Sequence, residues 1–327
     1  MACVSDVRAT VTTMYGLMYG GKNDMKAKQV GQYKKDLDKF YTSDRVVKIV
    51  LDELFAVLKN AGVDPAKCRF LEPCAGDGQF LSGLKGLGVT SVQSFDIEPE
   101  RDEIIKSDFL KLGLPDIRDY ITVGNPPFGY KGKLAASFIN RCSEWGDIIA
   151  FVLPIQFRRF NIQKQVCDDL KLIFSSSNLD RDSFIFDGKK YHVNSLFQIW
   201  VNRINPAFSS LPDLRLLKPL PNRHMDFKTF THNNTKESLK YFNKFEYKWD
   251  FAVVRQGYYD YEHRITDPNE LIKNRQYLFV KYVNDISRLV FDHIDFMKLS
   301  RTNTSTPGFS NTDLVREYIE IKERIRP

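Results

Sequence analysis

With 327 residues, of which 43% are hydrophobic and 13% aromatic, the chain has enough apolar surface to form a substantial buried core. No apolar run approaches the roughly 20 residues that cross a bilayer, and the first residues lack the basic and then apolar pattern of a secretory signal. The sequence predicts no membrane contact, and we expect a cytoplasmic protein from a bacterial, phage or viral context, or a nuclear one in a eukaryote.

The 48 lysine and arginine residues outnumber the 41 aspartate and glutamate residues, which gives a net charge of +7. This excess favours a polyanionic partner such as nucleic acid without requiring one. The five cysteines and five histidines show no spacing typical of metal ligands, so we expect neither a structural zinc site nor a disulfide framework. A monomer and a partner-dependent subunit are both compatible with this composition.

The predicted elements begin after an N-terminal arm, residues 1–37, whose basic stretch GGKNDMKAKQ has little apolar periodicity. Ser43 is a candidate N-cap for a helix that ends near residues 60–62. Apolar residues recur along this segment at helical spacing: Val46, Val47, Ile49, Val50, Leu54, Val57 and Leu58.

Short apolar runs then alternate with helical or loop segments: CRFLEP, VQSFDI, DEIIKSDFL, DYITVGN and DIIAFVLP. This alternation predicts a doubly wound α/β fold with a mostly parallel sheet, whose ligands bind beyond the carboxyl ends of the strands. Two later runs, SFIFDG and VNSLFQIWVNR, predict an antiparallel pair of strands around a turn at Gly188-Lys189-Lys190. This pair would close the edge of the sheet.

A cluster of prolines follows Asn205, at positions 206, 212, 219 and 221, and it disfavours long helices there. We therefore expect an α/β domain over residues 38–205 and a smaller C-terminal lobe over residues 206–327. In that lobe, basic and aromatic residues alternate in KYFNKFEYKWDF and RQGYYDYEHR. These segments are candidates for contacts with phosphates and bases, and the alternative is that their aromatic residues form the lobe's own core.

Side chains suited to ligands follow four of the predicted strands. Gly76 and Gly78 in FLEPCAGDGQF permit a sharp turn and a close approach to a ligand, while Glu72 can hold a cation or a hydroxyl group. Asp96 ends the next strand, where an acidic side chain can accept both hydroxyl groups of a ribose. Taken alone, each feature also fits an ordinary connection or a solvated carboxylate, and Glu98 competes with Asp96 for the ribose.

The third and fourth strand ends carry groups that fit an adenine. Asp108 can accept a hydrogen bond from an adenine amino group while Phe109 packs on the ring, and an equally open reading makes Asp108 an N-cap and Phe109 a core residue. In NPPF, Asn125 and the Pro126 carbonyl offer two acceptors for the hydrogens of an exocyclic amine, and Phe128 can stack on the base that bears it.

Together these stretches resemble the S-adenosylmethionine-dependent adenine-N6 DNA methyltransferases of the gamma class. EPCAGDGQF, residues 72–80, resembles motif I, and Asn125-Pro126-Pro127-Phe128 resembles motif IV. Residues 40–42 look like motif X, which precedes motif I in this class, while Asp96-Ile97 and Asp108-Phe109 match motifs II and III. The resemblance covers roughly residues 38–203 and implies a Rossmann-like class I methyltransferase sheet, mostly parallel with an antiparallel edge strand.

The resemblance implies a role for each matching residue. S-adenosylmethionine would be bound by Tyr41, Thr42, Glu72, Pro73, Ala75, Gly76, Asp96, Ile97, Asp108, Phe109 and Asn125. The catalytic motif would be Asn125, Pro126, Pro127 and Phe128. The target base would stack on Phe128 and on a second aromatic platform in YHVNSLFQIW, which resembles motif VIII; Tyr191 is the choice there, with Phe186 and Phe197 as its rivals. Apart from the resemblance, the charge of Lys131 and Lys133 makes them candidates for phosphate contacts, and the alternative is a solvated basic face.

The implied reaction transfers a methyl group to N6 of adenine in DNA, in a restriction-modification, viral or regulatory setting. The acceptors at Asn125 and Pro126 would draw the amine toward tetrahedral geometry and free its lone pair for attack on the sulfonium methyl, so catalysis is mainly positioning and electrostatics. In a duplex the base must first be flipped into the pocket at a cost of a few kcal/mol, which stacking on Phe128 partly offsets.

Three other interpretations stay open at this point. NPPF also occurs in RNA adenine-N6 enzymes, although the positions of motif X and of the C-terminal lobe favour DNA. Protein-glutamine methyltransferases have a similar motif with tyrosine at its fourth position, where this chain has Phe128. A catalytically silent nucleic-acid-binding subunit is disfavoured because the acidic and amide residues of the motifs are intact.

Overall fold

The computed structural model describes residues 41–179, 184–186, 189–191 and 193–325, with side chains except at Phe186 and residues 189–191. The predicted arm, residues 1–37, lies outside the described residues. No helix in the described ranges is both long and apolar enough to cross a membrane.

The described chain up to Asn205 contains ten strands and four α-helices. The strands are β1 (Tyr41–Thr42), β2 (Arg69–Glu72), β3 (Ser91–Asp96), β4 (Ile105–Lys106), β5 (Tyr120–Gly124), β6 (Ile148–Pro154), β7 (Leu170–Ser175), β8 (Phe184–Phe186), β9 (Lys189–Tyr191) and β10 (Ser195–Asn202). The helices are α1 (Asp44–Asn60), α2 (Gln79–Gly86), α3 (Lys133–Cys142) and α4 (Phe160–Gln163). Short 3₁₀ turns occupy Pro65–Lys67, Phe109–Lys111, Tyr130–Gly132 and Ile155–Arg158.

The central sheet has seven strands in the order β4-β3-β2-β5-β6-β10-β7. Strand β10 runs antiparallel to both of its neighbours, and the pairs among β2 to β6 are parallel. This is a Rossmann-like α/β sheet with one antiparallel strand, so the predicted α/β class with a mostly parallel sheet is confirmed. The five predicted runs between residues 68 and 154 each contribute one strand.

The predicted antiparallel pair at the sheet edge is wrong in its partners. Strand β8, from the SFIFDG run, joins β1 and β9 in a separate three-stranded sheet. Strand β10, from the VNSLFQIWVNR run, lies one position inside the edge, and β7 is outermost. The reason is burial: seven of the eight β10 residues are buried, and a strand covered this fully needs hydrogen-bonding partners on both sides.

The sheet lies between two hydrophobic clusters because neighbouring residues of a strand face opposite sides. On β2, Phe70 packs in the cluster that includes Val50 and Leu54 of α1. The adjacent Leu71 packs in the other cluster, with Ile139 of α3. Helix α1 begins directly after Ser43 and ends at Asn60, as the sequence predicts, although the Ser43 side chain makes no capping hydrogen bond.

A smaller C-terminal lobe follows Asn205 and has its own sheet and core. Its strands are β11 (Phe227–His232), β12 (Phe251–Gln256) and β13 (Gln276–Tyr282), in the antiparallel order β11-β13-β12. Its α-helices are α5 (Lys244–Tyr247), α6 (Asp285–Asp292), α7 (Phe296–Leu299) and α8 (Asn311–Ile325), and its 3₁₀ turns are Pro206–Phe208, Glu237–Phe242 and Pro268–Glu270. Several of its aromatic residues are core residues, as the alternative interpretation of these segments expects. The exact boundary at 205/206 stays a prediction.

Strand β5 leads into NPPF, and the backbone of its first residue, Tyr120, is in close contact with Gly146. A Cβ atom on Gly146 would lie 1.8 Å from the carbonyl oxygen of Tyr120, the first residue of β5. The neighbouring Trp145 carbonyl accepts a hydrogen bond from the Tyr120 amide at 3.3 Å. No side chain fits at Gly146 unless the backbone moves.

We expect Gly146→Ala to lower the free energy of unfolding by about 1–3 kcal/mol, because the added methyl group overpacks a backbone contact. Gly113→Ala is the matched control, since nothing lies within 4 Å of the Cβ position there, and it should change stability by less than about 0.5 kcal/mol. Urea denaturation of the three proteins measures both effects. Equal stabilities of the two variants would contradict the close approach at Gly146.

Candidate active site at the carboxyl edge of the sheet

Three parallel strands end side by side and place three of the predicted site residues at one edge of the sheet. Glu72 is the last residue of β2, Asp96 is the last residue of β3, and Asn125 directly follows β5. Strand β2 pairs in parallel with both β3 and β5, so the carboxyl ends of all three strands lie together. This is the edge at which doubly wound sheets bind their ligands.

The Glu72 carboxyl group is buried beneath this edge, at 1% exposure. The Ser94 hydroxyl group donates a hydrogen bond to its Oε2 at 3.2 Å. Burial penalises the charged form and raises the pKa of Glu72 from its ordinary value of 4.5 to about 8. Without a bound cation, Glu72 therefore holds a proton at neutral pH.

The loop after β2 organises the Asp96 carboxylate. The backbone N–H of Gly76 donates to Asp96 Oδ2 at 2.7 Å, and the backbone N–H of Glu98 donates to Oδ1 at 2.8 Å. Each carboxylate oxygen keeps a further lone pair, so Asp96 is oriented and can still accept hydrogen bonds from a ribose. Gly76 has a φ of +53°, a conformation that favours glycine.

Tyr41, one of the predicted motif X residues, lies against this glycine loop, and Phe40 of the same motif is outside the described residues. A Cβ atom on Gly76 would be 3.0 Å from the Tyr41 ring, which means that Tyr41 occupies the space of the missing side chain. The Tyr41 hydroxyl group donates to the carboxylate of Glu100, and burial together with this carboxylate raises the Tyr41 pKa. Thr42 is buried beside it. Sequence analysis missed Glu100, because its contact with Tyr41 joins residues 59 positions apart and leaves no local pattern.

The rest of the loop is fixed by its backbone. The Ala75 amide donates to the carbonyl of Phe95 in β3 at 2.8 Å, and the Gly76 carbonyl accepts from the Glu100 amide at 3.1 Å. Pro73 and Ala75 are buried. These contacts tie the ends of β2 and β3 together, as a site formed from both strands requires.

Asp108 is the N-cap of the 3₁₀ turn Phe109–Lys111, and Phe109 is a core residue. This is the second of the two interpretations that the sequence allows. Asp108 accepts a hydrogen bond from the Leu110 amide at 3.2 Å and pairs with Lys111 at 2.7 Å. Phe109 is 2% exposed and packs against Phe138 and other aromatic rings. Their roles in binding an adenine stay predictions. Ile97, at 49% exposure, offers the exposed apolar surface next to Asp96.

The NPPF segment lies next to the glycine loop. The Cys74 thiol donates to the Asn125 carbonyl at 3.6 Å, and burial raises the Cys74 pKa, so the thiol keeps the proton that it donates. Pro126 is buried and Pro127 is half-buried. Among the described residues outside the helices and strands, no backbone N–H donates a hydrogen bond to the Pro126 carbonyl.

Phe128 has one aromatic neighbour that the sequence analysis missed. It is partly buried, and its ring meets Phe184 of β8 edge to face at 6.1 Å. Phe184 pairs through its backbone with Tyr191 in β9, so the small sheet brings the backbone of the predicted second platform near NPPF. The Tyr191 and Phe186 side chains lie outside the described residues, and Phe197, at 1% exposure, is part of the core.

Lys131 and Lys133, the predicted phosphate contacts, are both exposed in the segment that follows NPPF. Lys131 has a φ of +54°, which is uncommon for a residue with a side chain. Its ammonium group lies 5.0 Å from the ring centroid of Tyr130, a side chain with 67% exposure that the sequence analysis did not select. This places two cations and an aromatic ring at the mouth of the site.

The described residues contain no group of three or more histidine, cysteine or acidic residues placed to hold a metal ion.

Comparisons with known proteins identify similar folds only. No family model and no curated protein matches the chain. Among solved structures, protein 1320 of Thermoplasma acidophilum is 18% identical at a TM-score of 0.37, over 51% of this chain and 94% of that one. PH1948 of Pyrococcus horikoshii, a proposed RNA methyltransferase, is 14% identical at a TM-score of 0.39, over 51% of this chain and 87% of that one. Similarity at these values supports no inference about activity.

The raised pKa of Glu72 predicts a specific pH dependence. The unfolded state loses the Glu72 proton above about pH 4.5, whereas the folded state keeps it up to about pH 8. The free energy of unfolding therefore falls as pH rises through this range. We therefore expect Glu72→Gln to become steadily more stable relative to the natural protein over this range.

The melting temperatures of Glu72→Gln and of the natural protein between pH 5 and 9, measured without added cofactor, report this difference in stability. Glu53→Gln is the matched control, since Glu53 is exposed on α1, and it should track the natural protein at every pH. A difference between Glu72→Gln and the natural protein that stays constant across the range would show that Glu72 is not a buried, protonated carboxyl group.

Proposed function

We propose that the protein is an S-adenosylmethionine-dependent methyltransferase that modifies N6 of adenine in DNA. One observation carries the proposal: the carboxyl ends of β2, β3 and β5 hold Glu72, Asp96 and Asn125 at one edge of the sheet, with Tyr41 against the glycine loop. These are the residues that match the motifs of the gamma-class enzymes, and they come from four separate parts of the chain.

The site residues fit the cofactor. Asp96, oriented by two backbone amides, would accept the ribose hydroxyl groups, and Ile97 would contact the adenine ring. Glu72 and the loop at Gly76 would hold the methionine part, whose positive charges suit a buried carboxylate. When bound, S-adenosylmethionine supplies the electrophilic methyl group.

The NPPF residues would position the target amine. The Asn125 side-chain oxygen and the Pro126 carbonyl accept one hydrogen each, which draws the nitrogen toward tetrahedral geometry and takes its lone pair out of conjugation with the ring. The amine gains a methyl group and afterwards releases one proton, so no base has to remove that proton first. Fixed acceptors of this kind act by orientation and electrostatics.

Phe128 would receive the target base outside the duplex. Its ring is braced edge to face by the buried Phe184, which fixes the plane on which a flipped base stacks. Stacking of about 1–3 kcal/mol per base offsets part of the few kcal/mol that unstacking and unpairing require. Lys131 and Lys133, both exposed, would contact the phosphates on either side.

The order of the elements supports DNA as the polymer. Strand β1, with the residues that look like motif X, precedes β2 and packs on its glycine loop, and the basic C-terminal lobe follows β10. In the gamma class of DNA enzymes, motif X likewise precedes motif I. Phe128 at the fourth position of NPPF sets the site apart from the tyrosine that is typical of protein-glutamine enzymes.

Asn125→Ala tests the role of NPPF. We expect the rate of methyl transfer to fall by about a hundredfold or more, since one fixed acceptor is lost from the reacting amine. The affinity for S-adenosylmethionine should fall much less, because Asn125 is one of eleven residues expected to bind the cofactor. Transfer of a labelled methyl group to duplex DNA measures the first quantity, and calorimetric titration with the cofactor measures the second.

The matched control is Asn274→Ala, a change at an exposed asparagine of the C-terminal lobe, which should leave both quantities unchanged. Methyl transfer by Asn125→Ala at the natural rate would refute the proposed role of Asn125.

A further inference from the structure

A second cleft lies between the α/β part and the C-terminal lobe. Its volume is about 400 Å³, within the range of about 300–1,000 Å³ that ligand sites occupy. The lining residues come from both parts: Asn194 from the segment before β10, and Tyr258, Tyr259, Asp260, Tyr261, Met297, Ser300, Arg301, Ser305 and Pro307 from the lobe. None of them belongs to the site described above.

One of the three tyrosines that line this cleft is buried, and the other two are exposed. Tyr261 is 1% exposed, and its hydroxyl group donates to the Gly257 carbonyl at 2.9 Å. Tyr258 is 76% exposed and Tyr259 is 40% exposed. The Tyr258 hydroxyl group donates to the carbonyl of Ser305 at 3.3 Å, so the ring is held across the cleft with its faces open to solvent.

Positive charge accompanies the exposed rings. The guanidinium group of Arg275 lies 4.5 Å from the ring centroid of Tyr259, a cation–π contact. Arg301 is exposed in the cleft, and within the described ranges no carboxylate forms an ion pair with it. The carboxylate of the cleft, Asp260, accepts a hydrogen bond from the Glu262 amide at 2.8 Å.

One lining residue of the cleft, Asn194, stands at the same edge of the sheet as NPPF. Ser195 begins β10 opposite Pro154, the last residue of β6, and β6 lies directly beside β5. Asn194 therefore stands at the carboxyl edge, two strands away from Asn125. A strand of nucleic acid that runs from NPPF along this edge would pass Asn194.

The wall of the cleft is fixed on both sides. The Asn194 amide donates to the Thr304 carbonyl at 2.8 Å, and its side chain donates to the Asn303 carbonyl at 2.6 Å. Arg159 pairs with Asp313 at 3.0 Å and donates to Asn303 Oδ1 at 3.0 Å. These contacts hold the loop that carries Ser305 and Pro307 against the α/β part, so the cleft is a preformed feature.

We propose that this cleft binds an unpaired nucleotide next to the target adenine, with its base stacked on Tyr258 and its phosphate near Arg301. The proposal rests on the proposed function, and it makes a strand that is single-stranded beside the target the preferred substrate. Aromatic rings with neighbouring arginines are the usual means of holding unpaired bases, because every base has a face that can stack. A duplex offers no free base face to Tyr258.

Fluorescence anisotropy with labelled oligonucleotides, in the absence of cofactor, tests the proposal. The ligands are a single-stranded DNA that contains adenine, the RNA of the same sequence, and the DNA duplex. We expect Tyr258→Ala to weaken single-strand binding by about tenfold, the loss expected for one stacked base, and to leave duplex binding unchanged. Tyr258→Phe keeps the stacking ring and loses only the hydrogen bond to Ser305, so it should lose clearly less affinity than Tyr258→Ala.

Phe245→Ala is the matched control, because Phe245 is 91% exposed in the same lobe and does not line the cleft. Arg301→Gln should flatten the dependence of single-strand binding on salt by about one unit of log–log slope, the effect of one lost phosphate contact. The DNA and RNA arms show which polymer the cleft holds. Equal losses in Tyr258→Ala and Phe245→Ala, or no loss in Tyr258→Ala, would overturn the proposal.

Binding is read without methyl transfer, so this experiment separates the two proposals. Single-strand binding that depends on Tyr258 in a protein that methylates no base would overturn the proposed function and support the cleft. Methylation of adenine together with binding that is indifferent to Tyr258 would overturn the cleft and leave the function standing.

Discussion

The candidate site depends on one constraint, the parallel pairing of β2 with both β3 and β5. Because the three strands run in the same direction in adjacent positions, the residues that end them lie together although the chain separates them by tens of residues. The hydrogen bond from the Gly76 amide to Asp96 then locks the end of β2 to the end of β3. Loss of the β2–β5 pairing would separate Glu72 and Asp96 from NPPF, and loss of the β2–β3 pairing would separate Asp96.

The antiparallel strand β10 provides the second constraint. It lies between β6 and β7, and because it is antiparallel to them its first residue lies at the carboxyl edge. Asn194, directly before β10, is hydrogen-bonded to the loop that carries Thr304. The position of β10 in the sheet therefore fixes Asn194, which lines the cleft that contains Tyr258 and Tyr259.

The sequence predicted the parts of the site that follow from local patterns. Apolar runs that end in Glu72, Asp96 and NPPF identify strands and their tips, and parallel topology then brings the tips together. The packing of Tyr41 on Gly76 and the tyrosine cleft join distant segments and leave no periodic signal. The pairing of β10 was mistaken because a turn at Gly188 pointed to the nearest run, whereas burial of β10 on both faces decides its true neighbours. The sequence also could not decide the role of Phe109, because an apolar residue after a strand can either contact a ligand or pack in the core.

The most direct test of the account is incubation of the purified protein with isotopically labelled S-adenosylmethionine and separate pools of duplex DNA, single-stranded DNA and RNA, followed by mass spectrometry of the nucleosides. A DNA adenine-N6 methyltransferase places the label in N6-methyldeoxyadenosine. Label in N6-methyladenosine of RNA alone would contradict the assignment to DNA and keep the chemistry of NPPF. Absence of labelled adenine from every pool would contradict the methyltransferase assignment.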